Sequence, residues 1–175
     1  MLILDHLIPR RNEIRPDHQF DSIADIDARA LYDLGVRAVG FDADQTLCAF
    51  HGTDIHERLL ANIESMCDLF SGQMCIISNC TDKRRAELKE HFPLYVIPME
   101  DKKPSIEPYR EAERHFGVPA EQWAFVGDRL ATDIVGANRA GWRSILVSPL
   151  APETDPLYIA LARSYERLLW RVYRV

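Results

Sequence analysis

The chain has 175 residues, of which 47% are hydrophobic and 27% are charged, and these values are typical of a soluble globular domain. Its formal net charge of −6 argues against general nucleic-acid binding, which depends on an excess of Lys and Arg. The four cysteines form no C-x-x-C pair, which favours reduced thiols in a cytoplasmic protein. We expect one domain over residues 1–175, without a membrane span or a secretory signal.

Strands and helices are predicted to alternate after an irregular or partly helical N-terminal arm over residues 1–20. Apolar residues at helical spacing, bounded by capping residues and glycines, predict helices within residues 22–34, 59–70, 82–91, 109–116, 130–140 and 156–175. Short apolar runs predict strands over residues 36–41, 74–77, 94–97, 123–126 and 144–147. This alternation predicts an open three-layer α/β/α sandwich with a mostly parallel central sheet.

Two carboxylates and a hydroxyl follow the first predicted core strand in the stretch V-G-F-D-A-D-Q-T-L-C. Asp42, Asp44 and Thr46 stand at i, i+2 and i+4, and side chains at i and i+2 leave a strand on the same side. Two like charges so close repel each other, so a cation or a proton donor is expected between them. A strand end followed by a polar turn remains the plainer interpretation of this stretch alone.

Polar groups also follow the later strands, where parallel strands place their carboxyl ends at one edge of the sheet. They are Ser78 and Asn79 after the second strand, Lys102 and Lys103 beyond the third, and Asp128 and Asp133 after the fourth. Taken singly, these residues fit helix caps or solvated side chains. Taken together, they suit phosphoryl transfer, with Asp42 as nucleophile and Asp44 as acid and base. A hard divalent cation, Mg²⁺, is expected to offset the charge repulsion.

Four segments resemble the four motifs of the haloacid dehalogenase superfamily of phosphatases, in order and in their coverage of residues 36–147. The segments are V-G-F-D-A-D-Q-T, I-I-S-N, K-K-P and V-G-D-R-L-A-T-D. The resemblance implies that Mg²⁺ is held by Asp42, the main-chain carbonyl of Asp44 and Asp128. It implies substrate phosphate contacts from Ser78 and Lys103, with Asp133 behind them or paired with the lysine. Thr46 and Asn79 are further candidates for contact with the substrate phosphate, and the alternative for Asn79 is that it shapes the loop. The superfamily places its lysine directly before the proline, which favours Lys103 over Lys102.

The spacing between motifs leaves no room for the cap domain that many superfamily members carry. Thirty-one residues separate Thr46 from Ser78, and a predicted helix takes about half of them. Twenty-three residues separate Asn79 from Lys103, and a helix and a strand take those. We therefore expect an open site, which suits a bulky or membrane-held substrate, or a site completed by a neighbouring subunit of an oligomer.

The predicted C-terminal helix over residues 156–175 is locally basic within an acidic chain. Arg163, Arg167, Arg171 and Arg174 fall at i, i+4, i+8 and i+11, which predicts one basic face. Such a helix is suited to peripheral contact with an anionic membrane. The alternative is that its apolar side packs on the domain and the arginines are solvated.

A closer resemblance covers nearly the whole chain and is most specific over residues 125–150. The run V-G-D-R-L-A-T-D-I-V-G-A-N-R-A-G-W-R-S-I-L-V-S-P-L resembles a capless branch of the superfamily that contains phosphatidylglycerophosphate phosphatases. This resemblance implies removal of the terminal phosphate from phosphatidylglycerophosphate at the inner face of a membrane. It also places Asn138 and Arg139 near the site, without a defined role.

Two other functions remain open at this stage. A soluble phosphatase for a sugar or nucleotide phosphate shares every catalytic residue and differs only in its substrate. A non-enzymatic phospho-acceptor or binding module also uses an aspartate and Mg²⁺. Asp44 argues against the second alternative, because an acid and base at i+2 speeds hydrolysis where a signalling protein needs persistence.

Overall fold

Six parallel strands form the central sheet of the computed structural model, which describes residues 9–173. The strands are β1 His18–Phe20, β2 Ala38–Phe41, β3 Met74–Ile76, β4 Tyr95–Val96, β5 Trp123–Gly127 and β6 Arg143–Val147. Their order across the sheet is β1-β6-β5-β2-β3-β4, and every neighbouring pair is parallel. A parallel sheet is covered on both faces, which explains why the central strands β2, β3 and β5 are wholly apolar and buried.

Helices cover both faces of the sheet, as the predicted three-layer sandwich requires. They are α1 Arg11–Ile14, α2 Ala28–Asp33, α3 Glu57–Leu69, α4 Asp82–His91, α5 Glu107–Phe116, α6 Val135–Ala140 and α7 Leu157–Tyr173. Alternate residues of β2 serve opposite layers: Val39 and Phe41 pack with residues of α2 and α3, whereas Ala38 packs with residues of α5 and α6. The predicted α/β sandwich is confirmed.

The N-terminal region differs most from the sequence-based prediction. The arm contains an edge strand, β1, which pairs with β6 and was not predicted. A strand of three residues is too short to show the alternation from which a strand is predicted. Its pairing also involves a distant contact, because the carboxylate of Asp17 accepts a hydrogen bond from the main-chain N–H of Ser144 at 2.8 Å. The helix predicted over residues 22–34 is divided, because Ser22 caps a short 3₁₀ turn and Asp27 caps α2 separately.

The chain connections are short within the described residues, and no cap domain interrupts them. β2 leads through a loop and α3 to β3, and β3 leads through α4 to β4, while β5 and β6 lie on the other side of β2. Strands β3 and β4 therefore extend the sheet on one side of β2, whereas β5, β6 and β1 extend it on the other, so the strand order reverses between β2 and β5. A crevice forms beyond the carboxyl ends of these two strands, which is where open α/β sheets bind their ligands.

Candidate active site

Asp42 and Asp128 lie side by side in that crevice. Asp42 follows β2 directly, Asp128 follows β5 directly, and β2 and β5 are neighbours in the sheet. The main-chain N–H of Asp42 donates to the carbonyl of Val126 at 2.9 Å, so the hydrogen-bond ladder between the two strands extends to the predicted nucleophile. Both carboxylates are buried. The fold thus brings together two predicted site residues that are far apart in the sequence.

Lys103 is a buried cation between two buried carboxylates. Its Nζ lies 2.8 Å from Oδ1 of Asp42 and 2.8 Å from Oδ1 of Asp133, and only 1% of its side chain is exposed. Asp133 is held in turn by the main-chain N–H of Arg129, which donates to its Oδ2 at 3.0 Å. Lys102 is exposed on the rim. Of the two lysines, Lys103 is therefore the one that contacts the predicted nucleophile.

Burial controls the charges of these groups. Burial raises the pKa of Asp42 to about 6, against the opposing effect of the Lys103 cation. Burial, reinforced by the charge of Asp133, raises the pKa of Asp128 to about 7, although Arg163 opposes it. Burial alone would lower the pKa of Lys103, but its two carboxylate neighbours outweigh that effect and raise it. The site therefore holds several carboxylates close together, where burial keeps water from stabilising their negative charges.

The carboxylates fit a hard divalent cation. Oxygen atoms of Asp42, Asp128 and Asp133 lie within 4.8 Å of one another. Within the described residues, Oδ2 of Asp128 is buried and receives no aligned hydrogen bond, although Arg163 lies beside it as a charge partner. An oxygen-only set with one such carboxylate atom suits Mg²⁺. The main-chain carbonyl of Asp44, the third predicted ligand, remains a prediction.

Asp44 is held by an arginine that sequence reasoning missed. Nη2 of Arg84 donates to Oδ1 of Asp44 at 2.8 Å and to the carbonyl of Gly52 at 2.7 Å, and the arginine side chain is only 2% exposed. The main-chain N–H of His51 donates to the same carboxylate oxygen at 3.0 Å. The available signal was position, because Arg84 precedes the buried Leu88 by four residues and so lies on the inward face of α4.

The other predicted phosphate-binding residues divide into two groups. Ser78 is buried and lines the cavity at the end of β3. Thr46 instead donates its hydroxyl to Oδ1 of Asp128 at 3.2 Å. The amide side chain of Asn79 binds the main chain of Lys103 at both ends, at 2.9 and 2.7 Å. Thr46 and Asn79 thus orient other site residues, and their substrate contacts remain predictions.

The segment after β6 closes one side of the site through Gln45. This residue has a left-handed backbone (φ 67°), and its amide Nε2 donates to the carbonyl of Ala151 and to Asp155, both at 2.8 Å. Asp155 also pairs with Arg163 of α7, and Arg163 pairs with Asp128. The chain of polar contacts therefore runs from the first motif through the C-terminal helix to the fourth motif. No role for Gln45 was predicted.

These groups surround a cavity of about 370 Å³ at the carboxyl edge of the sheet. Its lining combines the acids and Lys103 with residues of the first and second motifs, of α4 and of α7. The residues of α7 and its approach that line the cavity are Asp155, Tyr158, Ile159 and Arg163. The cavity therefore takes one wall from the helix that was predicted to contact a membrane.

Asn138 and Arg139 do not lie near the site, and this expectation was wrong. Both belong to the last turn of α6, and neither lines the cavity at the carboxyl edge of the sheet. The amide of Asn138 donates to the carbonyls of Glu13 and Arg15 at 2.7 and 2.9 Å. Arg139 pairs with the carboxylate of Glu13 at 3.1 Å. Their role is to fasten the N-terminal segment to the domain.

The four arginines of the predicted C-terminal helix do not form one free basic face. Arg163 turns inward, with 11% of its side chain exposed, and pairs with Asp128 and Asp155. Arg167 and Arg171 are exposed. Arg174 lies outside the described residues. The i, i+4 spacing did not predict this difference, because Arg163 lies in the crevice through its pairing with buried carboxylates, and the spacing does not show where those carboxylates lie.

Gly127 is required by the close approach of Asp133 to the end of β5. A Cβ atom at Gly127 would lie 2.4 Å from Oδ2 and 2.5 Å from Cβ of Asp133, so Asp133 would have to move. We expect Gly127→Ala to lower kcat by at least about tenfold, because it displaces the partner of Lys103, and to lower the free energy of unfolding by about 1–3 kcal/mol. Steady-state kinetics and urea unfolding measure both effects.

Gly72→Ala is the matched control for this prediction. Gly72, unlike Gly127, has a left-handed backbone (φ 72°), and nothing lies within 4 Å of an added Cβ, so the substitution costs stability through backbone strain alone. We expect it to destabilise the protein by about 1–2 kcal/mol while kcat is kept. Equal losses of kcat in both variants would show that Gly127 acts only through stability.

Comparison with known proteins gives a consistent relationship. A family model described as "Mitochondrial PGP phosphatase" matches residues 1–151. Phosphatidylglycerophosphate phosphatase 1, chloroplastic, from Chlamydomonas reinhardtii is 33% identical over 152 residues, which cover 82% of this chain and 56% of the algal protein. Probable phosphatase YqeG from Bacillus subtilis (strain 168) is 28% identical over 152 residues, or 87% of each chain. The chain thus spans little more than half of the algal relative.

A solved structure shares the fold. The crystal structure of an uncharacterized protein from Listeria monocytogenes serotype 4b has a TM-score of 0.51 at 16% identity, and the match covers 74% of this chain and 99% of that chain. At this identity the likeness concerns the fold alone. Among residues 9–173, no helix is both long enough and apolar enough to cross a membrane.

Proposed function

Since the chain belongs to the mitochondrial PGP phosphatase family, we propose that it is a Mg²⁺-dependent phosphomonoester hydrolase that dephosphorylates phosphatidylglycerophosphate. One observation carries this proposal: Asp42, at the end of β2, is held by Lys103 at 2.8 Å and faces Asp128 on the neighbouring strand. Peripheral association with the cytoplasmic face of a membrane is part of the proposal. The names of the relatives support the substrate.

The reaction proceeds in two displacements at phosphorus. A carboxylate oxygen of Asp42 attacks the phosphorus atom, the bond to the leaving alkoxide breaks, and Asp44 gives its proton to that oxygen. Asp44 then takes a proton from water, which attacks the aspartyl-phosphate, releases phosphate and restores Asp42. Lys103 neutralises the charge on the phosphoryl oxygens, and Ser78 donates to them. Mg²⁺, when bound by the acidic cluster, offsets the repulsion between the nucleophile and the phosphate dianion.

Hydrolysis of different substrates by the pure protein tests the proposal. Phosphatidylglycerophosphate in mixed micelles, glycerol 3-phosphate, sugar phosphates and an aryl phosphate are compared at equal phosphate concentration with Mg²⁺ present. Preference for the lipid is the expected result. Turnover of small phosphates alone would replace the lipid substrate by a soluble metabolite, and one phosphoryl group bound per chain without turnover would indicate a phospho-acceptor.

Mg²⁺ is expected to stabilise the protein more at high pH than at low pH. The raised pKa values of Asp42 and Asp128, about 6 and about 7, mean that protons compete with the cation below these values. Near pH 8 both carboxylates are ionised, and Mg²⁺ at a hundred times its Kd contributes about 2.7 kcal/mol, or roughly 5–10 °C in Tm. Near pH 5 the increment shrinks, because both groups are largely protonated in the metal-free protein.

Thermal unfolding with Mg²⁺ and with a chelator, at both pH values, measures this increment. Asp128→Asn is the control, because it removes one ligand charge and should abolish most of the Mg²⁺-dependent rise in Tm. A Tm that does not respond to Mg²⁺ near pH 8 would contradict the metal site.

A further inference from the structure

Helix α7 leaves a long apolar stripe exposed. Ten large hydrophobic side chains of the described residues are exposed, and six of them belong to this one helix. At 100° per residue these six fall on a single side of the helix. The stripe consists of Leu157 (76% exposed), Tyr158 (65%), Leu161 (63%), Tyr165 (45%), Leu168 (56%) and Val172 (66%). A stripe this long is unusual on the surface of a soluble domain.

The opposite side of α7 is already fastened to the domain. Glu166 is buried and accepts Nε of Arg129 at 2.9 Å, together with the main-chain N–H of Ala131 at 3.2 Å. Leu169 packs in a cluster with residues of α1 and α6, and Arg163 reaches Asp128. These contacts fix the rotation of the helix. The exposed stripe is therefore not the core-facing side of a helix that has failed to dock.

Positive charge runs along one edge of the stripe. Arg167 and Arg171 are exposed there, and within the described residues neither pairs with a carboxylate. The only acidic residue of α7 is Glu166, which is buried and paired with Arg129. The outer surface of α7 thus combines leucine, tyrosine and valine with arginines whose charge no carboxylate of the described residues neutralises, although the chain as a whole has a net charge of −6. An anionic lipid surface complements this combination, because it accepts apolar side chains and attracts arginines.

The stripe is continuous with the mouth of the active-site cavity. Tyr158 belongs to the stripe and also lines the cavity, next to Ile159 and Arg163. A surface that receives the stripe must therefore lie against the opening above Asp42. The substrate phosphate of a membrane lipid is presented at that same level, where headgroups meet water.

We propose that α7 is the docking helix of this protein for an anionic lipid bilayer. The stripe enters the boundary between headgroups and acyl chains, and Arg167 and Arg171 contact headgroup phosphates. The delivery of a lipid substrate to Asp42 rests on the proposed function, whereas the docking itself depends only on the surface of α7.

Vesicle co-sedimentation tests the docking without any reaction. The wild-type protein is expected to bind vesicles of phosphatidylcholine mixed with phosphatidylglycerol, and to bind pure phosphatidylcholine vesicles more weakly. The double variant Leu161→Glu, Leu168→Glu is expected to lose binding by at least about tenfold, because two apolar anchors are replaced by charges. The matched control Leu34→Glu, Leu60→Glu changes two leucines that are also exposed, at 53% and 43%, and should bind as wild type.

The arginines are tested separately. Arg167→Gln, Arg171→Gln is expected to weaken binding to the anionic vesicles, to reduce its dependence on salt, and to leave binding to phosphatidylcholine unchanged. Hydrolysis of a soluble aryl phosphate should be kept in every one of these variants, which confirms that each is folded and that the chemistry is intact.

Several outcomes overturn the proposal. Unchanged vesicle binding in the Leu161→Glu, Leu168→Glu variant would show that the stripe is not the surface that binds the membrane. A wild-type dimer that this variant converts to a monomer, without vesicle binding by either, identifies a second copy of the chain as the occupant. Vesicle binding without phosphatidylglycerophosphate hydrolysis would instead contradict the proposed function and leave the docking intact. Hydrolysis in micelles without vesicle binding would contradict the docking and leave the proposed function intact.

Discussion

Replacement of Asp42 by Asn is expected to lower kcat by roughly 10⁴-fold or more, the size of loss that follows removal of a covalent nucleophile. The amide has nearly the same shape as the carboxylate but is a far weaker nucleophile. It also removes one charge from the cluster formed with Asp128 and Asp133. Because burial already raises the pKa of Asp42, the neutral amide is tolerated in the fold. The expected loss is therefore one of chemistry and not of folding.

Phosphate release measures kcat, and acid quenching followed by mass spectrometry detects the intermediate. A peptide containing Asp42 should carry the mass of one phosphoryl group in the wild type and not in Asp42→Asn. In Asp44→Asn we expect a loss of about 10²–10⁴-fold, with the phosphorylated peptide still detectable, since Asp44 transfers protons and does not bond to phosphorus. Asp101→Asn, an exposed acid in the loop before Lys103, is the control and should keep full activity.

Substantial turnover by Asp42→Asn would contradict the covalent mechanism. Direct attack by water would then be the remaining route, with Asp42 as a ligand or base. Absence of the phosphorylated peptide in the wild type, together with normal turnover, would also indicate direct attack by water. Either result would leave the fold and the family assignment unaffected.

The family, and the convergence of the predicted site residues at one edge of the sheet, were predictable because they depend on local order. Each motif follows a short apolar strand, and parallel strands place their carboxyl ends at one edge regardless of the details of packing. Asp42 and Asp128 could therefore be paired before any contact was known. The match of the family model confirms the recognition drawn from the four motifs.

Contacts that depend on distant packing were not predictable. The four-residue spacing from Leu88 places Arg84 on the inward face of α4, but its contacts with Asp44 and Gly52 are set by a loop that is distant in the sequence. Arg163 has the same helical spacing as Arg167 and points inward because Asp128 and Asp155 lie beneath it. Periodicity predicts which side of a helix a residue occupies, but the residues that this side contacts are determined by the folding of the whole chain.

The two adjacent lysines illustrate this limit and are expected to differ greatly on substitution. Lys103→Met leaves the buried carboxylates of Asp42 and Asp133 without their cation, and loss of one partner of a buried ion pair costs about 3–5 kcal/mol. It also removes a charge that stabilises the phosphoryl oxygens, so kcat should fall by at least about 10²-fold. Lys102→Met removes the same charge from an exposed position and should change stability by no more than about 0.5 kcal/mol.

The stability loss in Lys103→Met is expected to depend on pH, and the direction identifies its cause. The Lys103 cation lowers the pKa of Asp42, so its removal raises that pKa further above the ordinary value. At low pH Asp42 is then neutral and needs no partner, whereas near pH 8 it must be ionised in a buried place. Urea unfolding with a chelator present should show a large deficit near pH 8 that narrows towards pH 5. A deficit independent of pH would mean that Lys103 contributes by packing its aliphatic stem and not by its charge.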